Sequence, residues 1–156
     1  MDITIKKREA IKAVGVRWQG TFQQAQAGEI KDIMQKFRMR LAELPDTINK
    51  ESIFGVSYDI DDRGFTYYLC CEVNEENTVL EDMVEVNVPA LTYASYQHKP
   101  EENVSESYTA VYNWIKEKGY QLNDQINLEH LEIYPSDYHP INERPRLTIN
   151  IPVKPL

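Results

Sequence analysis

The alternation that decides the fold is clear in the stretch Leu128-Glu129-His130-Leu131-Glu132-Ile133-Tyr134. Apolar and polar side chains alternate along it, as expected of a β-strand whose successive side chains point to opposite faces of a sheet. Leu131 and Ile133 share one face. His130, Glu132 and Tyr134 share the other. A buried carboxylate in mid-strand is costly unless it is paired or used, so Glu132 either faces solvent or lies in a cleft that receives a cation.

The elements around this strand predict the order β-α-β-β for the second half of the chain. A long strand region covers residues 83–97 and is interrupted at Pro89, which disfavours a continuous central strand. Apolar residues recur at helical spacing over residues 104–118, and Gly119 is a suitable C-terminal cap. After the strand at residues 128–134, a strict alternation over residues 146–153 predicts the last strand.

The first half predicts the same order. Residues 3–18 are rich in β-branched side chains, which favour a strand that ends near Gly20. Apolar residues from Ile30 to Leu44 recur at helical spacing, and Pro45 marks the end of that helix. Residues 52–59 and 65–73 form the two strands of a hairpin. We therefore predict an α+β protein of two β-α-β-β modules, about residues 1–80 and 81–156, with an antiparallel sheet and two helices on one face.

Length and charge limit the classes of function. The 156 residues are enough for one domain with a substantial core, and we expect a single domain over residues 1–156. The net charge of −8 argues against direct binding of nucleic acid, and the basic run Lys6-Lys7-Arg8 is too short to offset it. Neither a leader peptide nor an apolar run of roughly 18 residues is present, so we expect a cytoplasmic protein without a membrane segment.

No motif points to a metal or a cofactor. Cys70 and Cys71 are adjacent in a predicted strand, so they point to opposite faces and are expected to be small buried residues in a reducing compartment. The three histidines lack the spacing of metal ligands. The scattered glycines form no phosphate-binding loop, and no nucleophile-elbow motif is present. We therefore predict neither a metal site nor a cofactor.

Aromatic residues are abundant, with ten tyrosines and two tryptophans. Most are expected to pack in the core or at its rim. A carboxylate with aromatic faces around it is nevertheless a suitable site for an organic cation, because charge pairing and cation–π attraction both contribute. The aromatic residues cluster at Tyr67, Tyr68, Tyr93, Tyr96, Tyr108, Tyr112, Trp114, Tyr134 and Tyr138.

The sequence resembles the GyrI-like small-molecule-binding domain, also called the AraC-type or bacterial transcription activator effector-binding domain. The resemblance rests on the order and spacing of short motifs across nearly the whole chain. These motifs are Phe54-Gly55-Val56-Ser57-Tyr58, Tyr67-Tyr68-Leu69-Cys70-Cys71-Glu72-Val73, Val88-Pro89-Ala90-Leu91-Thr92-Tyr93-Ala94, Tyr112-Asn113-Trp114-Ile115, Leu131-Glu132-Ile133-Tyr134 and Ile149-Asn150-Ile151-Pro152-Val153.

The resemblance implies two modules related by a pseudo-twofold axis, with a ligand cleft between the helices and the sheet. It also implies that Glu132, in the family's Glu-x-Tyr strand motif, is the pocket carboxylate. Because many relatives carry a helix-turn-helix, while this sequence begins almost at its first strand, we expect a stand-alone form without a DNA-binding segment. The ligand-binding residues predicted in this way are Glu132, Trp114, Tyr68, Phe54, Tyr96 and Tyr134.

Three functions remain open from the sequence. The leading hypothesis is a binding protein for a hydrophobic or cationic organic ligand, in a sensor or sequestering role. The first alternative is a hydrolase of reactive small molecules, in which Glu132 is the general base and Tyr68 or Tyr134 its hydrogen-bonding partner. The second is a protein-interaction modulator, as some relatives act on DNA gyrase, with a protein partner or a homodimer implied.

Overall fold

The computed structural model describes residues 2–155, and its strands and helices follow the predicted repeat with additions. The first half comprises β1 (Thr4–Arg8), β2 (Ile11–Thr21), α1 (Phe22–Gln26), α2 (Glu29–Met39), a 3-10 turn (Leu41–Glu43), β3 (Ser52–Tyr58) and β4 (Gly64–Glu72). The second half comprises β5 (Val84–Val88), β6 (Leu91–His98), α3 (Val104–Glu117), β7 (Leu128–Pro135) and β8 (Leu147–Val153).

Two predicted strands are each divided in the structure. The strand expected at residues 3–18 is β1 and β2, separated at Glu9 and Ala10. The strand expected at residues 83–97 is β5 and β6, separated at Pro89 and Ala90. Proline cannot donate to a strand ladder, which accounts for the second break. Each half of the chain therefore has the order β-β-α-β-β.

All strands join one antiparallel sheet in the order β1-β6-β8-β7-β3-β4-β2-β5. Each strand of the first half has a counterpart in the second: β1 and β5, β2 and β6, β3 and β7, β4 and β8. If the members of each pair are exchanged, the same order is read from the other edge of the sheet. The pseudo-twofold axis therefore passes between β3 and β7, whose register pairs Gly55 with Glu132 and Ser57 with His130. This arrangement confirms the predicted α+β class and the related modules.

The two halves exchange their edge strands. β1 from the first half pairs with β6, and β5 from the second half pairs with β2. β1 and β2 occupy the first and seventh positions of the sheet, yet only Glu9 and Ala10 separate them in sequence. Two residues bridge roughly 10 Å at most, so the sheet must curl until these strands approach each other.

Each face of the curled sheet has its own apolar core. The helix-covered face packs Leu69, Leu147 and Ile149 against residues of the helices such as Phe37 and Val111. The opposite face is enclosed by the curl and is built from Ala13, Phe54, Val56, Cys70, Val86, Val88, Tyr93, Leu128 and Leu131. Cys70 and Cys71 fall in different cores, as strand alternation predicts.

Helix α3 has well-defined ends, which matters because it carries a residue of the site described below. Its Asn103 side chain accepts a hydrogen bond from the backbone N–H of Glu106, and Gly119 follows with a φ of +80° that suits glycine. The α2 and α3 helices have 11 and 14 residues. Within residues 2–155, no helix is long and apolar enough to cross a bilayer.

We expect the core of the helix-covered face to dominate stability. Ile149 is fully buried, whereas Ile48 is 52% exposed. Truncation of Ile149 leaves a cavity, so Ile149→Ala should lower the free energy of unfolding by about 2–5 kcal/mol. The matched control Ile48→Ala should change it by no more than about 0.5 kcal/mol. Urea denaturation followed by circular dichroism measures both values, and equal losses would contradict this description of the core.

Candidate ligand-binding site

Glu132 lies on the helix-covered face of β7 and accepts hydrogen bonds from three tyrosine hydroxyls. Tyr67 of β4 donates to Oε1 at 2.6 Å, and Tyr134 of β7 donates to the same oxygen at 3.0 Å. Tyr108 of α3 donates to Oε2 at 2.5 Å. Charge-assisted bonds of this length are among the stronger hydrogen bonds in proteins. The carboxylate therefore joins two strands of the sheet to a helix above it.

The three tyrosines act as donors because they keep their protons. Burial raises the pKa of Tyr67, Tyr108 and Tyr134 well above 10, and the neighbouring Glu132 raises it further. An ionised carboxylate can only accept hydrogen bonds. The arrangement is therefore one carboxylate held by neutral hydroxyl donors.

Gly55 makes room for this cluster. It lies opposite Glu132 in the register of β3 and β7, on the helix-covered face. A Cβ atom at this position would lie 1.9 Å from the Tyr67 hydroxyl oxygen and 3.3 Å from Oε1 of Glu132. Any larger residue would displace the Tyr67 ring from its position above the strand. A glycine is therefore required for the hydrogen bond between Tyr67 and Glu132.

His130 lies next to this cluster, two residues before Glu132 on the same face. Its Nε2 atom is 2.6 Å from the Tyr112 hydroxyl, and its ring centroid is 4.6 Å from that of Tyr108. Burial lowers the pKa of His130 to about 4. The ring is therefore neutral near pH 7 and adds no positive charge to compete with a cation beside Glu132.

The cluster borders a cavity of about 600 Å³ between the sheet, the helices and the loop that joins β7 to β8. Most of the lining side chains are apolar or aromatic, and Glu132 and Lys31 are the charged residues among those described. This size and composition are typical of small-molecule sites. The lining consists of Phe22, Ala25, Gln26, Ile30, Lys31, Met34, Ser57, Ile60, Phe65, Tyr67, Val104, Ser105, Tyr108, His130, Glu132, Tyr134, Tyr138, Pro140, Pro145 and Leu147.

Of the predicted site residues, the structure brings Glu132 and Tyr134 to the cavity. Phe54 and Tyr68 pack in or against the core of the opposite face. Phe54 is the sequence neighbour of Gly55, and Tyr68 is the sequence neighbour of Tyr67. Neighbouring residues of a strand point to opposite faces, so Phe54 and Tyr68 point away from the cavity.

Two other predicted residues lie on the helix-covered side but outside the cavity lining. Trp114 stacks on Tyr120 with a ring-centroid distance of 5.9 Å, and Tyr96 donates to Glu102 at 2.6 Å. The ligand-binding role of all six predicted residues remains a prediction.

Tyr67, Tyr108 and His130 line the cavity but were not among the residues predicted for the site. The sequence did contain patterns that place Tyr108 and His130 near Glu132. His130 shares a strand face with Glu132, and Tyr108 and Tyr112 are four residues apart on one side of a helix. Tyr67 required the strand pairing, because only the β3–β4–β7 register brings its side chain towards Glu132.

The profile of the GyrI-like small molecule binding domain matches residues 1–154 of the sequence. The chain belongs to the GyrI-like family. As a GyrI-like protein it is a small-molecule-binding domain, which confirms the family predicted from the motifs. The family also includes transcription regulators, and one of these is similar in sequence.

That relative is the transcriptional regulator BrlR of Pseudomonas aeruginosa, which is 28% identical over 134 residues. The match covers 85% of this GyrI-like chain and 48% of BrlR, so the chain spans about half the length of that relative.

Two solved structures have the same fold. The structure of SAV2435 bound to tetraphenylphosphonium superposes with a TM-score of 0.72 at 15% identity, covering 99% of this chain and 94% of the other. EcmrR, in a complex with DNA, superposes with a TM-score of 0.70 at 18% identity, covering 99% and 58% of the two chains. At these identities the comparisons establish the fold of the GyrI-like chain.

The hydrogen bonds to Glu132 should contribute to stability. Tyr108→Phe removes one donor to a partly buried carboxylate, so we expect a loss of about 1–2 kcal/mol in the free energy of unfolding. In a Glu132→Gln background the same substitution should cost less, because the charged acceptor is gone. Urea denaturation of the four proteins in this double-mutant cycle measures the coupling. Additive effects of the two substitutions would contradict the contact.

The neutral state of His130 predicts a dependence of stability on pH. Because its folded pKa of about 4 lies below the ordinary 6.5, the unfolded chain binds the proton more readily. The contribution of His130 is therefore complete above about pH 6.5 and falls towards pH 4, by roughly 2–3 kcal/mol.

Urea denaturation at intervals between pH 7 and pH 4.5, on the wild type and His130→Phe, checks this expectation. Burial also lowers the pKa of His98, but His98 is present in both proteins, so the difference between the curves isolates His130. Parallel curves for the two proteins would show that His130 does not titrate in this way.

Proposed function

We propose that the cavity binds a hydrophobic organic cation whose charge lies beside Glu132. The observation that carries this proposal is a carboxylate on the wall of an apolar and aromatic cavity, with neutral hydroxyls as its hydrogen-bonding partners. A carboxylate in low-polarity surroundings attracts a cation more strongly than one in water. The tyrosine rings nearby add cation–π attraction.

The hydrogen bonds of Glu132 support a particular class of cation. Oε1 accepts two hydroxyls and Oε2 accepts one, so little of the accepting capacity of the carboxylate remains for a ligand. A primary ammonium needs several acceptors when it leaves water, whereas a quaternary or delocalised cation needs none. We therefore propose that quaternary ammonium, phosphonium and N-alkylated aromatic cations bind in preference to primary amines of similar size.

The comparison with SAV2435 supports the same class of ligand. That protein was solved with bound tetraphenylphosphonium, which is a bulky cation without N–H groups. The shared fold supports the transfer of this ligand class, although sequence identity is 15%.

The hydrolase alternative has less support from the geometry. A general base must accept a proton from water, and both oxygens of Glu132 already accept hydrogen bonds from tyrosines. The neighbouring His130 has its Nε2 atom engaged by Tyr112. We therefore favour binding over turnover, in a sensor or sequestering role. The relation to the transcription regulator BrlR supports the sensor role.

Titration with tetraphenylphosphonium, followed by isothermal calorimetry, tests the proposal. We expect saturable binding to the wild type and about tenfold or greater weakening in Glu132→Gln, because the substitution removes the charge but keeps the shape. Triphenylphosphine oxide, which is neutral and similarly aromatic, should bind less tightly to the wild type and respond little to the substitution.

Glu102→Gln is the matched control variant. Glu102 also accepts a hydrogen bond from a tyrosine, Tyr96, at 2.6 Å, but it does not line the cavity. Its substitution should leave the affinity for tetraphenylphosphonium unchanged. Equal weakening in the two variants would indicate attraction by the overall acidic charge, and unchanged affinity in Glu132→Gln would remove Glu132 from the site.

A further inference from the structure

His130 is a second polar side chain on the cavity wall, and the proposed contact with a cation does not use it. It lies on the same face of β7 as Glu132 and two residues away. Two residues along a strand correspond to roughly 6–7 Å. His130 and Glu132 therefore stand on one strand, with their backbones separated by about the length of a short organic linker.

The contact with Tyr112 is compatible with either tautomer of the neutral His130 ring, and the two differ in the nitrogen that carries the proton. Burial lowers the pKa of His130 to about 4 and raises that of Tyr112 to about 12, so both groups are neutral near pH 7. The Tyr112 hydroxyl has no other acceptor within residues 2–155, and it lies 2.6 Å from Nε2 of His130. The tautomer with its proton on Nδ1 gives the hydroxyl an acceptor at Nε2, and this pairing favours it.

Two polar groups on this part of the wall have no hydrogen-bonding partner among residues 2–155. In the part of the chain that the structure describes, Nδ1 of His130 forms no hydrogen bond. Ser57 is the cross-strand partner of His130, is only 5% exposed and lines the same cavity. Its hydroxyl also forms no hydrogen bond within the described residues. Both residues line the cavity, so a ligand inside it can form hydrogen bonds with these groups.

We propose that His130 and Ser57 form a second contact point in the cavity, which donates hydrogen bonds to an oxygen atom of the ligand. The preferred ligand is then an organic cation in which a short linker separates the charged centre from a carbonyl, ester or ether oxygen, since the two contacts lie two residues apart on one strand. This inference rests on the proposed function, because Glu132 supplies the other contact. It adds a requirement for an accepting oxygen atom, by which the cavity would distinguish one hydrophobic cation from another.

A matched pair of ligands separates the two contacts. Benzoylcholine carries a quaternary ammonium and an ester, whereas (4-phenylbutyl)trimethylammonium has the same ring, chain length and charge without the oxygen atoms. The measured quantity is the ratio of the two dissociation constants, obtained by calorimetry on each protein. A substitution that alters the binding of the phenyl ring or the ammonium group changes both dissociation constants alike, so their ratio reports on the oxygen atoms.

We expect His130→Phe to lower the preference for benzoylcholine by roughly threefold to tenfold, which is the range for one hydrogen bond. The phenylbutyl compound is the reference, because it has the same ring and charge as benzoylcholine but no oxygen atom to accept a hydrogen bond. Ser57→Ala is a second and milder variant that removes one oxygen atom. It should lower the same ratio even if His130→Phe proves unstable.

The position of the proton on the His130 ring is a second measurement, and a role of His130 in packing alone would not predict it. Long-range ¹H–¹⁵N correlation spectra near pH 7 should show His130 protonated at Nδ1 in the wild type. Tyr112→Phe removes the donor to Nε2, so the population of the other tautomer should rise and the preference for benzoylcholine should fall. A wild-type ring protonated at Nε2 would overturn the inference.

The binding outcomes distinguish this inference from the function on which it rests. If neither quaternary cation binds to the wild type, the proposed function fails and the second contact fails with it. If both bind and Glu132→Gln weakens both, while the ratio is the same in wild type, His130→Phe and Ser57→Ala, then only the second contact is wrong.

Discussion

The hydrogen bonds of three tyrosines to one carboxylate connect the parts of this molecule. Glu132 and Tyr134 come from β7, Tyr67 from β4 and Tyr108 from α3, so the contact joins the centre of the sheet to a helix above it. A lone carboxylate on this apolar wall would be unfavourable. With three neutral donors around it, the charge is tolerated there, and in the proposed function it also attracts the ligand. Under this proposal, stability and binding depend on the same four side chains.

The pseudo-twofold symmetry places this cluster at the boundary between the halves. The sheet is symmetric about the β3–β7 pair, and the cavity lies on the same pair of strands. Its lining includes Phe22 and Ile30 from the first half and Val104 and Tyr108 from the second. The repeated architecture therefore produces one site at its axis, and only the second half supplies the carboxylate.

Much of the fold could be predicted from the sequence because alternation and helical spacing are local properties. The strict alternation of Leu147, Ile149 and Ile151 predicted a strand, and the structure buries these residues in one core. Alternation likewise predicted that Glu132 and Tyr134 share a face of β7. The site was harder to predict because it depends on register. Tyr68 and Phe54 were selected for the pocket, whereas their neighbours Tyr67 and Gly55 have that position. Aromatic content alone does not distinguish adjacent strand residues that face opposite sides.

The exchanged edges also bear on how the chain folds. β1 completes the end of the sheet formed by β6, about ninety residues later in the sequence, and β5 completes the end formed by β2. Neither half can therefore satisfy the hydrogen bonds of its own outer strand alone, and the chain must close long loops before these pairs form. We expect slow, strongly cooperative folding with high contact order. A half released during synthesis would expose an unpaired strand edge, which is a known starting point for aggregation.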